Sequence, residues 1–451
     1  KSCILIFMKS ATLSLSVAGA VGSGLLFYSF WQKGKKLPNK KKKKTGIMRV
    51  IGVQSGNAAD GLDVGIFDFE PPETDPADPR RLIAPLKYTT LANKTFHFSK
   101  EDRAFILSLR SQAAHTSTEY AQGNYQLGRW FAKAANDLLA ESGLPKDSVH
   151  LVGSHGQSIC GHPHWEFGDV GVMAQLTGIT TAGDFRPADV AAGGTGSPCT
   201  CTYDSIMLRP PAGNKKWRIA LNFGGTCSVT FLPPWGAPGV PIGLDPGLGV
   251  FFMDLCVEKI DPSLEFDENG EMARAAHTHE ELLEYFFTYQ HYHKDLPVCV
   301  GVEDFSQELF NRWRAKAQSL NVSDQDLLAT LTELTARQCA RACVKYGGPN
   351  IVNGAANEVI IRGGICNNGY FVERLQVNMD KYLGTPVTLL TLDQIGINPD
   401  SWENAMYAIM GYLCVQNIYN FVPSCTGANY PVVGGKIAPG NNFSSLYQLL
   451  V

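Results

Sequence analysis

The sequence predicts an α/β protein with two lobes that are built alike. Strand-like and helix-like segments alternate from Met48 onward, and a strand, a glycine-rich turn and a second strand occur in succession twice, over 49–69 and 217–232. Of the 451 residues, 44% are hydrophobic, 18% are charged and 45 are glycine, which is typical of a globular protein with a large core and many tight turns. The repeated unit therefore predicts two related lobes with a nucleotide between them.

Each predicted element rests on a local pattern of apolar residues. The segment 117–142 carries apolar side chains at helical spacing, whereas 49–53 and 217–223 are short apolar runs that end at turns. The stretch 210–214, rich in Pro, Gly and Asn, predicts a boundary between the lobes. The predicted strands are 49–53, 62–69, 149–153, 179–183, 217–223, 228–232 and 358–362, and the predicted helices are 117–142, 326–345 and 402–419.

The first 47 residues differ in composition from the rest of the chain. They hold ten lysines and no acidic residue, and an uncharged run from Ala11 to Trp31 is long enough to cross a bilayer as a helix. Two interpretations stay open: a membrane anchor and Lys-rich linker with a cytoplasmic body, or a spurious extension that is absent from the mature protein. We expect a first lobe at 48–209 and a second at 215–451, in a cytoplasmic protein for which a homodimer is one candidate state.

The charge of the remaining chain excludes nucleic acid as a partner. Beyond residue 47 the sequence carries 29 basic and 42 acidic residues, whereas binding to phosphate backbones needs a basic surface. The twelve cysteines lack the paired spacing of a zinc site, so no Cys and His metal framework is predicted. The expected partners are therefore small molecules.

Three glycine turns after predicted strands suit the phosphates of a nucleotide. They lie at 55–63, at 222–225 and at Gly363-Gly364. Backbone N–H groups approach phosphate closely at glycine, and a nearby carboxylate such as Asp60 can hold a hydrated Mg²⁺. A hairpin turn explains any one of them alone, but their repetition in two halves favours a nucleotide site. No GxxxxGK[ST] motif follows these strands, so a P-loop enzyme is not indicated.

Asp184 is the candidate catalytic carboxylate. It directly follows the predicted strand at 179–183, and an Asp at the carboxyl end of a strand in an α/β protein is well placed as a general base. An ion pair between Asp184 and Arg186 that only fixes a loop is the alternative from this stretch alone. The polar side chains of His155 and Gln157 suit the hydroxyl groups of a sugar, although single polar residues are more often structural.

Several motifs, in chain order, resemble those of the anhydro-N-acetylmuramic acid kinases, a family within the actin-like ATPase superfamily. Segment 55–63 is similar to that family's SGTSxDGxD, 153–158 to GSHGQT, and 177–198 to TGIT…ADFR..D.AAGG.GAP. Segment 221–225 is similar to LNIGG, and 329–336 to ATLT-LTA. Segment 363–367 is similar to GGxxN, Glu403 stands in the place of the family's Glu-rich helix, and 423–428 is similar to LPSxTGA. The resemblance runs from about Arg49 to the C-terminus.

The resemblance implies a two-lobed actin-like sugar-kinase fold with ATP and an amino sugar in the cleft between the lobes. The implied reaction passes the γ-phosphoryl group of ATP to O6 of 1,6-anhydro-N-acetylmuramic acid while water opens the anhydro bond, with Asp184 activating the water and Mg²⁺ as cofactor. The implied sugar-binding residues are His155, Gln157, Arg186, Asp189 and Asp245, and the implied ATP-binding residues are Gly56, Asn57, Ala58, Ala59, Asp60, Gly61, Leu62, Asp63, Asn222, Gly224, Gly225, Gly363 and Gly364.

Two other functions stay open from the sequence. Asn57 and Ala58 stand where the family's phosphate loop has Thr and Ser, so two hydroxyl donors are missing there. A protein that binds nucleotide or sugar without turnover is therefore one alternative. A kinase for a related sugar is the other, because Gly161 and Val250 stand where contacts with the ring are expected.

Overall fold

The computed structural model describes residues 46–56, 59–110, 115–161, 164–301 and 304–451. The predicted membrane anchor and linker lie almost wholly outside these ranges, as do Asn57 and Ala58 of the predicted phosphate loop. Within the described ranges, no helix is both long enough and apolar enough to cross a membrane.

The strands follow the predicted order and add several short ones. They are β1 (Met48–Gln54), β2 (Gly61–Phe69), β3 (Tyr88–His97), β4 (Leu151–Ser154), β5 (Gln157–Gly161), β6 (His164–Phe167), β7 (Thr181–Gly183), β8 (Trp217–Phe223), β9 (Thr226–Leu232), β10 (Ile242–Leu248), β11 (Ala356–Arg362), β12 (Thr388–Thr391) and β13 (Lys436–Ala438).

The helices cover both sheets. They are α1 (Lys100–Leu109), α2 (Ser117–Ser142), α3 (Val170–Thr177), α4 (Arg186–Ala191), α5 (Thr200–Met207), α6 (Phe251–Ile260), α7 (Glu271–Arg274), α8 (Glu280–Phe287), α9 (Gln307–Ser319), α10 (Asp324–Ala342), α11 (Gly369–Leu383), α12 (Trp402–Val415), α13 (Pro423–Thr426) and α14 (Phe443–Leu450).

Two sheets with the same topology confirm the predicted two-lobed fold. The first sheet has the order β13-β7-β4-β1-β2-β3 and the second β10-β9-β8-β11-β12. In each sheet three consecutive strands pair antiparallel, and two later strands extend the sheet parallel to the first of the three. The strand–turn–strand unit that occurs twice in the sequence is the start of each lobe.

The C-terminal part of the chain returns to the first sheet. Strand β13 pairs antiparallel with β7, and α12 packs across β1 and β4. Gly52 and Gly153 make this close packing possible, because a Cβ at either position would collide with the backbone carbonyl of Asn404 or Tyr407 on α12. The last part of the chain thus packs on the sheet that the first part forms.

Local sequence signals set the helix ends. Helix α2 matches the prediction at both ends, since Thr116 and Glu119 form a reciprocal capping box at its start and Gly143 ends it with a left-handed φ of 69°. Helix α12 stops earlier than predicted, at Val415, and the left-handed Asn417 that follows turns the chain away. One cluster of buried apolar side chains covers the first sheet, another covers the second, and a third contains side chains from both sheets.

Candidate active site

A cavity of about 150 Å³ lies between the two sheets. The first lobe contributes Arg186 and helix α12 contributes Tyr407, while the second lobe contributes Asn222 and Asp245. The cavity thus brings together three of the sequence-predicted site residues, Arg186, Asn222 and Asp245. Its wall also includes Thr226, so the strands on both sides of the Gly224-Gly225 turn face it.

Arg186 is held rigidly at the wall of this cavity. Its Nε lies 2.8 Å from Oε1 of Glu166, its Nη1 donates to the carbonyl of Gly196 at 2.8 Å, and its Nη2 lies 2.9 Å from Nε2 of His155. Burial raises the pKa of Glu166, and the charge of Arg186 opposes that rise. The alternative of an Asp184–Arg186 pair is therefore not what the structure shows, because Glu166 is the partner of Arg186.

His155 is a buried neutral imidazole behind Arg186. Burial, and then the charge of Arg186, hold the pKa of His155 well below its usual range. Its Nε2 accepts from Arg186, so the proton lies on Nδ1, which donates to the carbonyl of Gly156 at 3.1 Å. His155 is absent from the cavity wall, and the structure places it as a support for Arg186.

The side chain of Gln157 forms hydrogen bonds with two residues of the predicted phosphate loop. Its Oε1 accepts from the hydroxyl of Ser55 at 2.6 Å, and its Nε2 donates to the carbonyl of Gly56 at 3.2 Å. Ser55 also donates to the carbonyl of Gly61 at 2.9 Å, which closes the loop on itself. The predicted sugar contact of Gln157 has no counterpart in the wall of the cavity, because the side chain is buried against the loop.

The phosphate loop offers backbone groups and two acidic side chains. Ala59 has a left-handed φ of 50° and Asp60 is exposed at the turn. Leu62 is buried in the core of the first lobe, so only its backbone is available to a ligand. Asp63 accepts from Gln54 and from Thr95, each at 2.6 Å, and burial raises its pKa.

Glu403 has no predicted role, although its position matches a motif of the family. Nε2 of Gln54 donates to Glu403 at 2.9 Å and to Asp63 at 2.6 Å, and so bridges the two carboxylates below the phosphate loop. Burial, and then the charge of Asp63, raise the pKa of Glu403 to about 7. Its place in the motif that resembles the family's Glu-rich helix is the sequence signal, whereas its partner Gln54 is 349 residues away and could not be predicted.

The two glycine turns of the second lobe lie side by side. Strand β8 leads to Gly224-Gly225 and its parallel neighbour β11 leads to Gly363-Gly364, with Asn222 opposite Arg362 in the register. Gly363 has a φ of 105°, and a Cβ there would collide with the carbonyl oxygen of Phe223. The predicted nucleotide-side turns of this lobe thus form one continuous surface.

Asp245 and Asp189 have different surroundings. Asp245 lines the cavity and accepts from the N–H of Val300 at 3.0 Å, and burial raises its pKa to about 7. Asp189 accepts from the N–H of Gly196 and from the hydroxyl of Thr426, each at 2.8 Å, and is fully buried. The predicted sugar contact of Asp189 therefore has no support from its position, which is that of a residue fixing the loop at 193–196.

Asp184 directly follows β7, as predicted. Its backbone is left-handed, with φ of 51°, and its side chain is 25% exposed and forms an ion pair with Lys436. Asp184 does not itself line the 150 Å³ cavity, but its charge raises the pKa of Glu166, the partner of Arg186. Asp184 stands two residues before Arg186, which forms part of the cavity wall. Among the described residues, no group of three or more His, Cys, Asp or Glu is arranged to hold a metal ion.

Comparison with known proteins finds one family. The family model for anhydro-N-acetylmuramic acid kinase matches residues 48–440. The anhydro-N-acetylmuramic acid kinase of Caldanaerobacter subterraneus subsp. tengcongensis is 31% identical over 403 residues, which cover 86% of this chain and 96% of that protein. The kinase of the same name from Picosynechococcus sp. is 30% identical over 401 residues, which cover 86% of this chain and 99% of that protein. The chain therefore belongs to the anhydro-N-acetylmuramic acid kinase family.

Proposed function

We propose that this chain phosphorylates 1,6-anhydro-N-acetylmuramic acid with ATP and opens its anhydro ring with water, giving N-acetylmuramic acid 6-phosphate. The supporting observation is the cavity between the lobes, whose wall combines Arg186 with Asn222 and Asp245 next to the Gly224-Gly225 turn. A pocket with a few converging polar groups beside a phosphate-binding turn suits a sugar and a nucleotide together. The alternatives of a binding protein without turnover and of a related sugar have no observation in their favour.

The glycine turns supply the phosphate contacts in this proposal. Phosphoryl transfer depends on positioning and on neutralising charge, so backbone N–H groups at Gly56 and Gly364 suit the triphosphate. The exposed carboxylate of Asp60 offers the kind of oxygen donor that Mg²⁺ prefers. We propose that Asp60 holds Mg²⁺ through water. When bound, Mg²⁺ neutralises charge on the phosphates.

Asp184 is the proposed general base for the opening of the ring. Its carboxylate takes a proton from a water molecule, whose oxygen forms a bond with C1 of the sugar as the bond between C1 and O6 breaks. O6 then bonds to the γ-phosphorus as the bond from that phosphorus to ADP breaks. Arg186 and Asp245, on opposite walls of the cavity, are the proposed sugar contacts that hold the ring in place.

The test is turnover by the purified full-length chain with ATP, Mg²⁺ and the anhydro sugar. We expect ADP and the sugar 6-phosphate in equal amounts, and a loss of about 10²-fold or more in kcat for Asp184→Asn, since general base catalysis contributes on that scale. Asp137→Asn is the matched control, because Asp137 lies on α2 in an ion pair with Lys133 outside the site. If the wild-type chain forms no ADP above the level of Asp184→Asn while still binding ATP or the sugar, it is a binding protein and the proposal is wrong.

Location and assembly extend the proposal. A cytoplasmic location is proposed because ATP is supplied there. A homodimer and the lobe boundaries at 48–209 and 215–451 stay predictions. Size-exclusion chromatography with light scattering measures whether the chain is a dimer. Limited proteolysis between the lobes measures where the boundary lies.

A further inference from the structure

Asp184 forms an ion pair with Lys436, a residue in the C-terminal part of the chain. Nζ of Lys436 contacts Oδ2 of Asp184. Lys436 is the first residue of β13, and the antiparallel register of β13 with β7 sets it opposite Gly183, next to Asp184. The side chain of Lys436 is 67% exposed and that of Asp184 is 25% exposed, so the pair lies at the surface end of β7.

The segment before Lys436 is built to approach this point closely. A Cβ at Gly434 would collide with the carbonyl oxygen of Phe185, and a Cβ at Gly435 would lie 3.0 Å from the Phe185 ring. Gly435 also has a φ of 128°, which side chains rarely permit. Two glycines in succession therefore let the backbone pack against Phe185, the residue that follows Asp184.

A buried side chain fixes the same segment in place. Oδ1 of Asn420 accepts from the N–H of Gly434 at 2.6 Å, and Nδ2 of Asn420 donates to the carbonyl of Gly434 at 2.8 Å. Asn420 is almost fully buried. Both polar backbone groups of Gly434, two residues before Lys436, are thus hydrogen-bonded to Asn420. This restricts the positions that the Lys436 side chain can reach.

The neighbouring cation, Arg186, pairs with groups other than Asp184. Three of its N–H groups point to Glu166, His155 and the carbonyl of Gly196. Asp184 also has a left-handed backbone, a conformation that persists for a non-glycine residue where the surroundings impose it and that is common at functional sites. Both observations make Lys436 the group that sets the direction of the Asp184 carboxylate.

We propose that Lys436 is a positioning residue that holds one carboxylate oxygen of Asp184 and leaves the other free to accept the proton of the attacking water. The inference rests on the proposed function of Asp184 as the general base. A charge-assisted contact of this kind fixes the orientation of a carboxylate. Exposed ion pairs of this kind contribute little to folding, so the contribution of Lys436 is to geometry at the site.

The experiment compares Lys436→Met with wild type at saturating ATP and anhydro sugar. We expect kcat to fall about tenfold, with KM for each substrate unchanged within about twofold, because a small misplacement of a base lowers the rate without loss of binding. Lys436→Arg, which keeps the charge, restores most of kcat. Lys133→Met is the matched control, since Lys133 is equally exposed and pairs with Asp137 away from the site, and its kcat stays at the wild-type value.

A double-mutant cycle separates positioning from a general structural effect. In the Asp184→Asn background, Lys436→Met lowers kcat no further, because the carboxylate it positions is already gone. The inference is overturned if Lys436→Met retains kcat within about twofold of wild type, or if it lowers kcat by the same factor in both backgrounds. Absence of turnover by the wild-type chain instead overturns the proposed function, and the inference with it.

Discussion

The guanidinium of Arg362 stacks on the indole ring of Trp402, with its central carbon 4.1 Å from the ring centroid. Arg362 is the last residue of β11 in the second lobe, and Trp402 begins α12, which packs on the first sheet. Nη1 of Arg362 also lies 2.6 Å from Oδ1 of Asp204, and both side chains are 1% exposed. A buried cation thus joins the two lobes directly beside Glu403.

Loss of this cation is expected to destabilise the whole fold. Arg362→Met leaves Asp204 buried without its charge partner, and removal of one member of a buried ion pair costs about 3–5 kcal/mol. Thermal unfolding followed by circular dichroism measures the change. Arg274→Met is the control, because its pair with Glu373 is exposed, and its melting temperature is expected to stay close to that of wild type. Equal melting temperatures for the two variants would contradict the prediction.

The buried Glu403 is expected to make stability depend on pH. Its pKa is raised from 4.5 to about 7, so the folded chain holds this proton more tightly than the unfolded chain does. The folded state therefore loses stability as pH rises from about 4.5 through 7, and the loss is complete above 7. Glu403→Gln removes the ionisable group and keeps an oxygen for the amide of Gln54. Melting temperatures of wild type should fall relative to the variant over this range, and two parallel curves would refute the role of Glu403.

The sequence predicted those features that depend on neighbouring residues. Helix α2 was predictable because its capping box and its apolar spacing are local. The position of Asp184 after β7 followed from the strand pattern, but its partner Lys436 did not, since β13 has only three residues and its pairing with β7 joins segments about 250 residues apart. Glu166 was missed for the same reason: the polar residue that attracts Arg186 lies on a hairpin strand with no local signal of its role.

Sugar affinity is expected to depend on the ionisation of Asp245. Burial raises the pKa of Asp245 to about 7, and Asp245 lines the cavity. Both of its carboxylate oxygens can accept hydrogen bonds from sugar hydroxyls only when the group is ionised. Binding of the anhydro sugar should therefore tighten as pH rises through 7, and Asp245→Asn should remove this dependence. Calorimetric titration at pH values below and above 7 measures it.

Asp254 provides the matched control for that experiment. Burial also raises its pKa to about 7, but it lies on α6 and is not part of the cavity wall. Asp254→Asn is thus expected to keep the pH dependence of sugar binding. If it abolishes the dependence instead, or if Asp245→Asn retains it, the titration belongs to another group.

Gly364 is expected to serve ATP rather than the fold, unlike its neighbour Gly363, which the backbone geometry requires. A Cβ at Gly364 meets no atom within 4 Å, and its φ lies outside the left-handed region, so Gly364→Ala should leave the melting temperature unchanged. The same methyl group would occupy space that a phosphate needs if the turn at Gly363-Gly364 contacts ATP, and KM for ATP should then rise about tenfold or more with KM for the sugar unchanged.

Gly46→Ala is the control, because Gly46 is equally open and lies before β1, outside every glycine turn of the site. An unchanged KM for ATP in Gly364→Ala would show that the nucleotide lies elsewhere, since neither strain nor a packing clash competes with the steric effect at this position.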